Sequence, residues 1–318
     1  MRSTFSPTAY TVGWICVKVD SEAVAARAML DERHGYIDLS GQGDPIQYFG
    51  GRIGKHNVII GCSGKAGLNP ANNVATNMSR SFKNIKVGLL CGIGGGNPSE
   101  KHDIRLGDVV VGMPEGQHSG VTQYNAGKTT EDGFLRRASH NRPPQFLIQA
   151  VGSRRTDLIE GLDTWEKHLD SAPKGWGSFN NLTEILYEGQ HKIPRPGNRE
   201  ARVHYGLIAS GELVVKADKS RKELVQQIQD DVLCFEMEAA GLVNTFPCLV
   251  VRGISDYCDR YKNDDWQPYA SSAAAAYCKY LLEVVHVSDI QVASAATKIM
   301  ESGQYSGVAQ TFRSIIDA

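Results

Sequence analysis

Seven runs of consecutive apolar residues punctuate the chain: 10–17 (YTVGWICV), 57–61 (NVIIG), 86–91 (KVGLLC), 108–112 (DVVVG), 203–209 (VHYGLIA), 232–236 (VLCFE) and 248–253 (CLVVRG). Runs that are apolar on successive positions predict strands buried on both faces. Helical patterns fill the intervals at 22–34, 70–82, 156–169, 219–230, 237–246 and 270–286. The last of these, ASSAAAAYCKYLLEVVH, joins strong helix formers without a breaker. Such alternation predicts an α/β fold: a single domain over 8–288 with a central mixed, largely parallel sheet flanked by helices.

Two stretches interrupt the rhythm. Residues 113–155, rich in Gly, Asn, Arg and Pro, and 171–200 read as long excursions, the kind of segment that forms lids or substrate loops. Residues 289–318 read as a C-terminal helical extension, with apolar positions at Ile290, Val292, Ala296, Ile299 and Met300, then Val308, Phe312, Ile315 and Ile316.

Composition narrows the function classes. Of 318 residues, 41% are hydrophobic and 22% charged, and 34 basic side chains nearly cancel 35 acidic ones. No basic excess predicts a grip on nucleic acid or an anionic membrane. No signal peptide and no membrane-length apolar run is read, so the expected compartment is the cytoplasm. Cys16, Cys62, Cys91, Cys234, Cys248, Cys258 and Cys278 are an odd number set mostly in apolar runs, as for buried thiols in a reducing compartment. No Cys or His spacing suggests a metal site, and no cofactor is expected.

Three segments carry chemistry. In Phe235-Glu236-Met237-Glu238-Ala239-Ala240-Gly241 two carboxylates stand where a strand hands over to a helix. They would line the crevice at the carboxyl end of an α/β sheet, or one of them caps the helix start. Val250-Val251-Arg252-Gly253-Ile254-Ser255-Asp256 repeats the layout, with Ser255 and Asp256 at a strand end. Cys91-Gly92-Ile93-Gly94-Gly95-Gly96-Asn97 lets the backbone approach a partner closely or adopt positive φ. It is not a dinucleotide fingerprint, because Asn97 stands where the last Gly should be, and Gly61-Cys62-Ser63-Gly64-Lys65-Ala66 is too short for a P-loop.

Together with YTVGWIC, RIGKHNVII, DIRLGDVVVG, HYGLIASG and the Trp266 segment, in that order over roughly 10–286, these motifs resemble the nucleoside phosphorylase/nucleosidase superfamily. That superfamily includes purine nucleoside phosphorylase, uridine phosphorylase and methylthioadenosine nucleosidase. The likeness is greatest to the phosphorylase-like domain that heads multidomain fungal proteins. It implies that Asp256 protonates purine N7, with Ser255 orienting it. It further implies that Glu238 accepts from a ribose hydroxyl, Met237 packs on the sugar, and Glu236 is a second acid near the reacting centre. Gly94 and Gly95 belong to the substrate-contacting Gly-rich segment. Val214 stands where many members carry an aromatic over the base, and Trp266 matches an aromatic covering the far side of the nucleoside, or is a plain hydrophobic anchor. For Asp256 to hold a proton near neutral pH, burial or neighbouring carboxylates must raise its pKa.

Water or phosphate is the remaining choice. With one inserted residue in the segment VKVDSEAVAARAML, Glu22 falls where the nucleosidases place the base that activates water; otherwise it is a solvated residue at a helix start. Leu90 and Ile93 occupy the positions of the phosphorylase Arg and Ser, and supply no side-chain donor for a phosphate. The expectation is hydrolysis of a purine ribonucleoside to free base and ribose by a homo-oligomer. Its rivals are a phosphorylase drawing on Arg27, Arg52 or Lys65, a nucleoside-sensing module without turnover, and a partner-docking tail after 287.

Overall fold

Each apolar run becomes a strand of one sheet in the computed structural model, which describes residues 5–39, 42–131, 133–136, 140–188, 190–195, 199–294 and 298. In chain order β1 (Val12–Cys16) leads to α1 (Glu22–Ala28), the antiparallel pair β2 (Glu32–Tyr36) and β3 (Tyr48–Ile53), then β4 (His56–Cys62), α2 (Leu68–Ser81), β5 (Val87–Gly96) and β6 (Val109–Gly112). A short β7 (Val121–Gln123) and the hairpin of β8 (Gly127–Thr130) with β9 (Gly133–Arg136) precede α3 (Gln145–Glu160). A 3-10 helix at Trp165–Ser171 and the hairpin of β10 (Ile185–Glu188) with β11 (His191–Pro194) follow. The last third runs β12 (Val203–Ser210), α4 (Asp218–Ile228), β13 (Val232–Glu236), α5 (Ala239–Leu242), β14 (Cys248–Asp256), α6 (Gln267–Leu282) and α7 (Val287–Val292).

The sheet order is β13-β12-β6-β14-β5-β1-β4-β3-β2, with β7 paired to β12. It is mixed: β5 lies parallel to β1 and β14, and β12 parallel to β6, β7 and β13, whereas β2, β3 and β4 pair antiparallel. β13 also pairs antiparallel with the end of β5, Cys234 opposite Gly96 and Phe235 opposite Gly95. That extra pairing closes β5, β14, β6, β12 and β13 into a ring and brings their ends together.

Period-two alternation sends successive residues of the central strands to opposite faces, and both faces are covered. Trp14, Ile60, Leu89 and Val251 pack beneath α1 and α6, while Ile15, Ile59, Leu90 and Val250 pack beneath α2 and α5. In α2 the buried residues Ala71, Val74, Ala75 and Met78 recur at helical spacing. α6 is buried almost all round, which its Ala-rich sequence permits without bulk.

Several boundaries differ from the sequence expectation. The helix expected over 22–34 stops at Ala28, because Glu32–Tyr36 pairs with β3 at the sheet edge. The helix expected at 156–169 lies at Gln145–Glu160, starting inside the first supposed excursion, and ends where Gly161 takes the left-handed conformation (φ 66°). The segment 237–246 is helical only over Ala239–Leu242. The second excursion contains β10 and β11. α7 straddles the expected 288/289 boundary, buries Ile290 in the core and leaves Val292 exposed; 295–297 and 299–318, with Ala296, Ile299, Met300 and the later apolar positions of the expected extension, lie outside the described residues. All seven cysteines are free thiols, six of them buried and Cys62 half-buried. Among the described residues no helix is long and apolar enough to cross a membrane.

Candidate active site

The carboxyl ends of β1, β5, β13 and β14 surround a cavity of about 120 Å³. Glu22, Gly94, Gly95, Val214, Glu236, Met237, Glu238, Ser255 and Asp256 all line it, so residues spread over more than 230 positions meet in one place. Leu213 and Val214 stay exposed at the rim. Trp266 does not line this cavity. It is 4% exposed, stacks on Phe179 at 5.9 Å, meets Tyr269 edge-on and donates its indole N–H to Thr183 O at 3.2 Å. Of its two sequence readings, the anchor is the one the geometry matches.

The Gly-rich run is part of β5, and none of Gly92, Gly94, Gly95 or Gly96 has positive φ. The glycines permit close approach instead. A Cβ on Gly92 would lie 2.5 Å from both Glu22 Oε1 and Arg252 Nη1, and one on Gly95 would lie 2.8 Å from Asp256 Oδ1. Any side chain at these positions would push the charged groups off the strand.

At one end of the cavity three carboxylates gather around Arg252. Its Nη2 lies 2.5 Å from Glu236 Oε2 and 3.3 Å from Glu238 Oε2, all three side chains being almost fully buried. Glu236 also accepts from the N–H groups of Glu238 and Ala239 at 3.0–3.1 Å, at the entry to α5. The carboxylate expected to be a second acid is therefore occupied by an arginine and a helix start. Glu238 is less committed: it accepts from Gly67 N–H at 3.1 Å and from its neighbour Met237 N–H at 3.3 Å. Gly67, at φ 122°, turns the chain into α2 in a conformation only glycine adopts readily, which aims its N–H at Glu238. Burial pushes Glu238 up to about 7; Arg252 pulls it back, while Glu236 and Glu22 add to the rise. Arg252 itself is held above its ordinary value, since the surrounding carboxylates outweigh its burial.

Glu22 is 5% exposed, so the solvated alternative fails. Its Oε2 accepts from Val17 N–H at 2.6 Å and Lys18 N–H at 3.1 Å, and its Oε1 from Ile93 N–H at 3.0 Å. Backbone donors from the β1–α1 turn and from β5 thus converge on one carboxylate.

At the other end stands Asp256. Its Oδ1 accepts from Cys258 N–H at 3.0 Å, and its Oδ2 accepts from Ser255 Oγ at 3.0 Å and pairs with Lys262 Nζ at 2.8 Å. Burial or neighbouring carboxylates are the expected setting for Asp256; it is buried, at 4% exposed, but the charged group that faces it is a cation.

The cations reserved in the sequence for phosphate lie elsewhere. Arg27 sits over the rings of Tyr36 and Phe49, 5.0 and 4.4 Å from their centroids, and Arg52 pairs with Glu32 at 3.0 Å. Leu90 is a core residue, and Lys65 is exposed outside the cavity lining. The cationic side chains that do line the cavity are Lys18 and Lys262. Lys18 Nζ donates to Gln267 Oε1 at 2.7 Å. Sequence reasoning gave no role to Arg252, Lys18 or Lys262. Arg252 was detectable, because an arginine inside the apolar run VVRGIS needs buried carboxylate partners; the other two sit in polar segments with no local signal.

No protein-family model matches the chain. It is 38% identical over 301 residues to a nucleotide-binding leucine-rich repeat (NLR)-like protein of Hyaloscypha variabilis, covering 89% of this chain and 30% of that protein. It is 41% identical over 78 residues to the ATP nucleosidase Cap17 of Escherichia coli, covering 23% of this chain and 15% of Cap17. The chain thus spans less than a third of the length of either relative. In fold it is similar to the 5′-methylthioadenosine/S-adenosylhomocysteine nucleosidase of Neisseria meningitidis in complex with methylthio-immucillin-A, with a TM-score of 0.60 at 18% identity over 86% of this chain and 99% of that one.

Proposed function

For this chain, which belongs to the nucleoside phosphorylase/nucleosidase superfamily, we propose hydrolysis of the N-glycosidic bond of a purine ribonucleoside. The observation that carries the choice of water over phosphate is the setting of Glu22. A phosphate site in such a fold needs converging N–H donors and cations. Here the N–H groups of Val17, Lys18 and Ile93 already converge on the Glu22 carboxylate, an anion that repels a second one.

In this reading Glu22 takes a proton from the attacking water as its oxygen bonds to C1′. The C1′–N9 bond breaks, its electron pair leaves with the base, and Asp256 delivers a proton to N7. Protonation of the leaving group and activation of water are each worth about a hundredfold to ten-thousandfold. Glu238 accepts from a ribose hydroxyl and Met237 packs against the sugar. Glu236 and Arg252 act through Glu238, fixing the turn on which it stands. Val214 and the Phe235 ring supply apolar surface for the base.

A second reading concerns the 5′ end of the substrate. Lys18, exposed at the cavity and held by Gln267, offers an ammonium group suited to a 5′-phosphate. The local likeness to an ATP nucleosidase supports testing adenosine nucleotides beside nucleosides.

The decisive assay incubates the protein with adenosine, inosine, guanosine and ATP, with and without phosphate, and resolves base, sugar and sugar phosphate. Free base with ribose, or with ribose triphosphate from ATP, indifferent to added phosphate, is the expected result. Ribose 1-phosphate formed only when phosphate is added overturns the role of Glu22, and binding without any product favours the sensing module.

A further inference from the structure

Asp256 serves a departing base only if its carboxylate is held at one rotation, and one donor that holds it sits on an unfavourable piece of backbone. Its Oδ2 meets the Ser255 hydroxyl and the Lys262 ammonium, while Oδ1 accepts from the N–H of Cys258, two residues on, at 3.0 Å. Cys258 has φ 55°, in the left-handed region that residues with a side chain rarely adopt. Gln229, the other non-glycine residue with positive φ among the described residues, ends α4. Cys258 ends no helix; its conformation returns its N–H to the Asp256 side chain.

A strained residue persists only where its surroundings hold it. Three contacts do so here. Cys258 Sγ packs against β5 at Gly95, where a Cβ on that glycine would lie 2.1 Å from the sulfur. The Tyr257 hydroxyl donates to Glu184 Oε1. The Tyr257 carbonyl accepts from Nη1 of Arg221, which stands on α4.

Arg221 is the unexpected member of this set. It is 2% exposed, yet its Nη1 bonds a peptide carbonyl rather than a carboxylate, and its Nε has no partner. Asp259 lies near enough to feel its charge, but burial pushes the Asp259 carboxyl up in spite of it. A guanidinium is costly to bury even in an ion pair, so an apolar side chain would fill this place with less penalty. Stability alone does not account for an arginine here.

We propose that Arg221 is a positioning residue for Asp256, a role that rests on the glycosidase reading above. By holding the Tyr257 carbonyl it keeps Cys258 in the left-handed conformation, and so keeps the Cys258 N–H on Oδ1. Arg221 does not line the site cavity, so it acts through this turn and not on the substrate. α4 follows the rim residues Leu213, Val214 and Val215 in the chain, which joins the surface proposed for the base to the acid through one helix.

A double-variant cycle separates this role from a plain structural one. Arg221→Met removes the donor and keeps much of the bulk; Asp256→Asn removes the acid. Turnover is read on the best substrate of the product assay, with slow variants followed as single turnovers. With Asp256 present, Arg221→Met should lower kcat about tenfold to a hundredfold, the scale of a small misplacement of a reacting group, with KM within about twofold. Arg221→Lys, which keeps a charged donor for the Tyr257 carbonyl, should recover most of that loss. In Asp256→Asn the further change to Met at 221 should alter kcat by less than about twofold, because no acid is left to misplace. Cys258→Val strains the same turn from its other side, since a branched residue resists positive φ, and should give the same pattern if Arg221→Met does not fold. Equal losses with Asp256 present and replaced overturn the proposal, as does an unchanged kcat in Arg221→Met. If the unaltered protein releases base from none of adenosine, inosine, guanosine and ATP, the glycosidase reading itself fails, a different outcome from either of these.

Discussion

The two ends of the cavity hold carboxylates in opposite ways. Around Arg252, Glu22, Glu236 and Glu238 are bound by backbone N–H groups and one buried guanidinium, and among the described residues no solvent-reaching cation is bonded to them. Asp256 keeps a lysine whose side chain is still partly in water. Buried charges are tolerated only when paired and hydrogen-bonded, so the first end has fixed geometry. In the proposed reading the first end grips the sugar and aims water, and the second supplies the proton that the departing base requires.

Removing the counter-charge tests the fixed end most severely. Arg252→Met leaves Glu236 and Glu238 buried without a cation, which should cost about 3–5 kcal/mol of stability in urea denaturation. A loss below about 1 kcal/mol would show that the carboxylates hold their places through backbone donors alone. Asp256→Asn tests the other end. It should cut turnover of adenosine about a hundredfold to ten-thousandfold, with nucleoside binding and thermal midpoint nearly unchanged. A variant that still turns over at the normal rate would move the acid elsewhere in the cavity.

Much of this arrangement is legible in the sequence, for identifiable reasons. β5 and β14 are buried on both faces, so KVGLLC and CLVVRG announce themselves as continuous apolar runs, and the acidic residues at the ends of β13 and β14 stand out against them. β2 and β3 pair at the sheet edge, where Glu32, Arg33 and Tyr36 face solvent, and ERHGY carries no apolar rhythm to read. Glu236 and Glu238, two residues apart, look equivalent in the sequence. Only the fold separates them, because Arg252 comes from a strand sixteen residues on and takes up the first. Lys262 stands in YKNDDW, a segment whose polarity predicts only a surface loop. Its contact with Asp256 depends on how that loop returns to the cavity.

Glu238 provides a smaller effect whose sign is set by its environment. Its value rises from about 4.5 unfolded to about 7 in the fold, so the folded state binds the extra proton. The stability this gives is fully present below pH 4.5 and is lost as the pH rises through 7. Glu238→Gln removes that dependence. Relative to the unaltered protein, the variant should therefore gain stability between pH 5 and pH 8 in urea titrations, by an amount on the order of 1–3 kcal/mol. A difference that stays flat across the range would mean that Arg252 neutralises Glu238 more completely than its 3.3 Å separation suggests.

The smallest expected effect on the site comes from Trp266, which the resemblance places over the nucleoside and the fold places outside the lining of the site cavity. Its ring is enclosed by Phe179 and Tyr269, and its N–H is spent on Thr183 O, so it borders a second cavity of about 240 Å³, which lies beyond Asp256 and shares it, and not the one lined by Glu22 and Glu238. Trp266→Phe keeps an aromatic in that packing but loses the hydrogen bond and some volume, which should cost about 1–2 kcal/mol of stability. KM for adenosine should stay within about twofold, because no substrate contact is removed. A tenfold rise in KM at unchanged kcat would mean that the ring swings across Asp256 to cover bound nucleoside. The two cavities would then be one site in two positions of the 257–266 segment, and the contrast between the two ends would extend from the partners of their carboxylates to the chain itself.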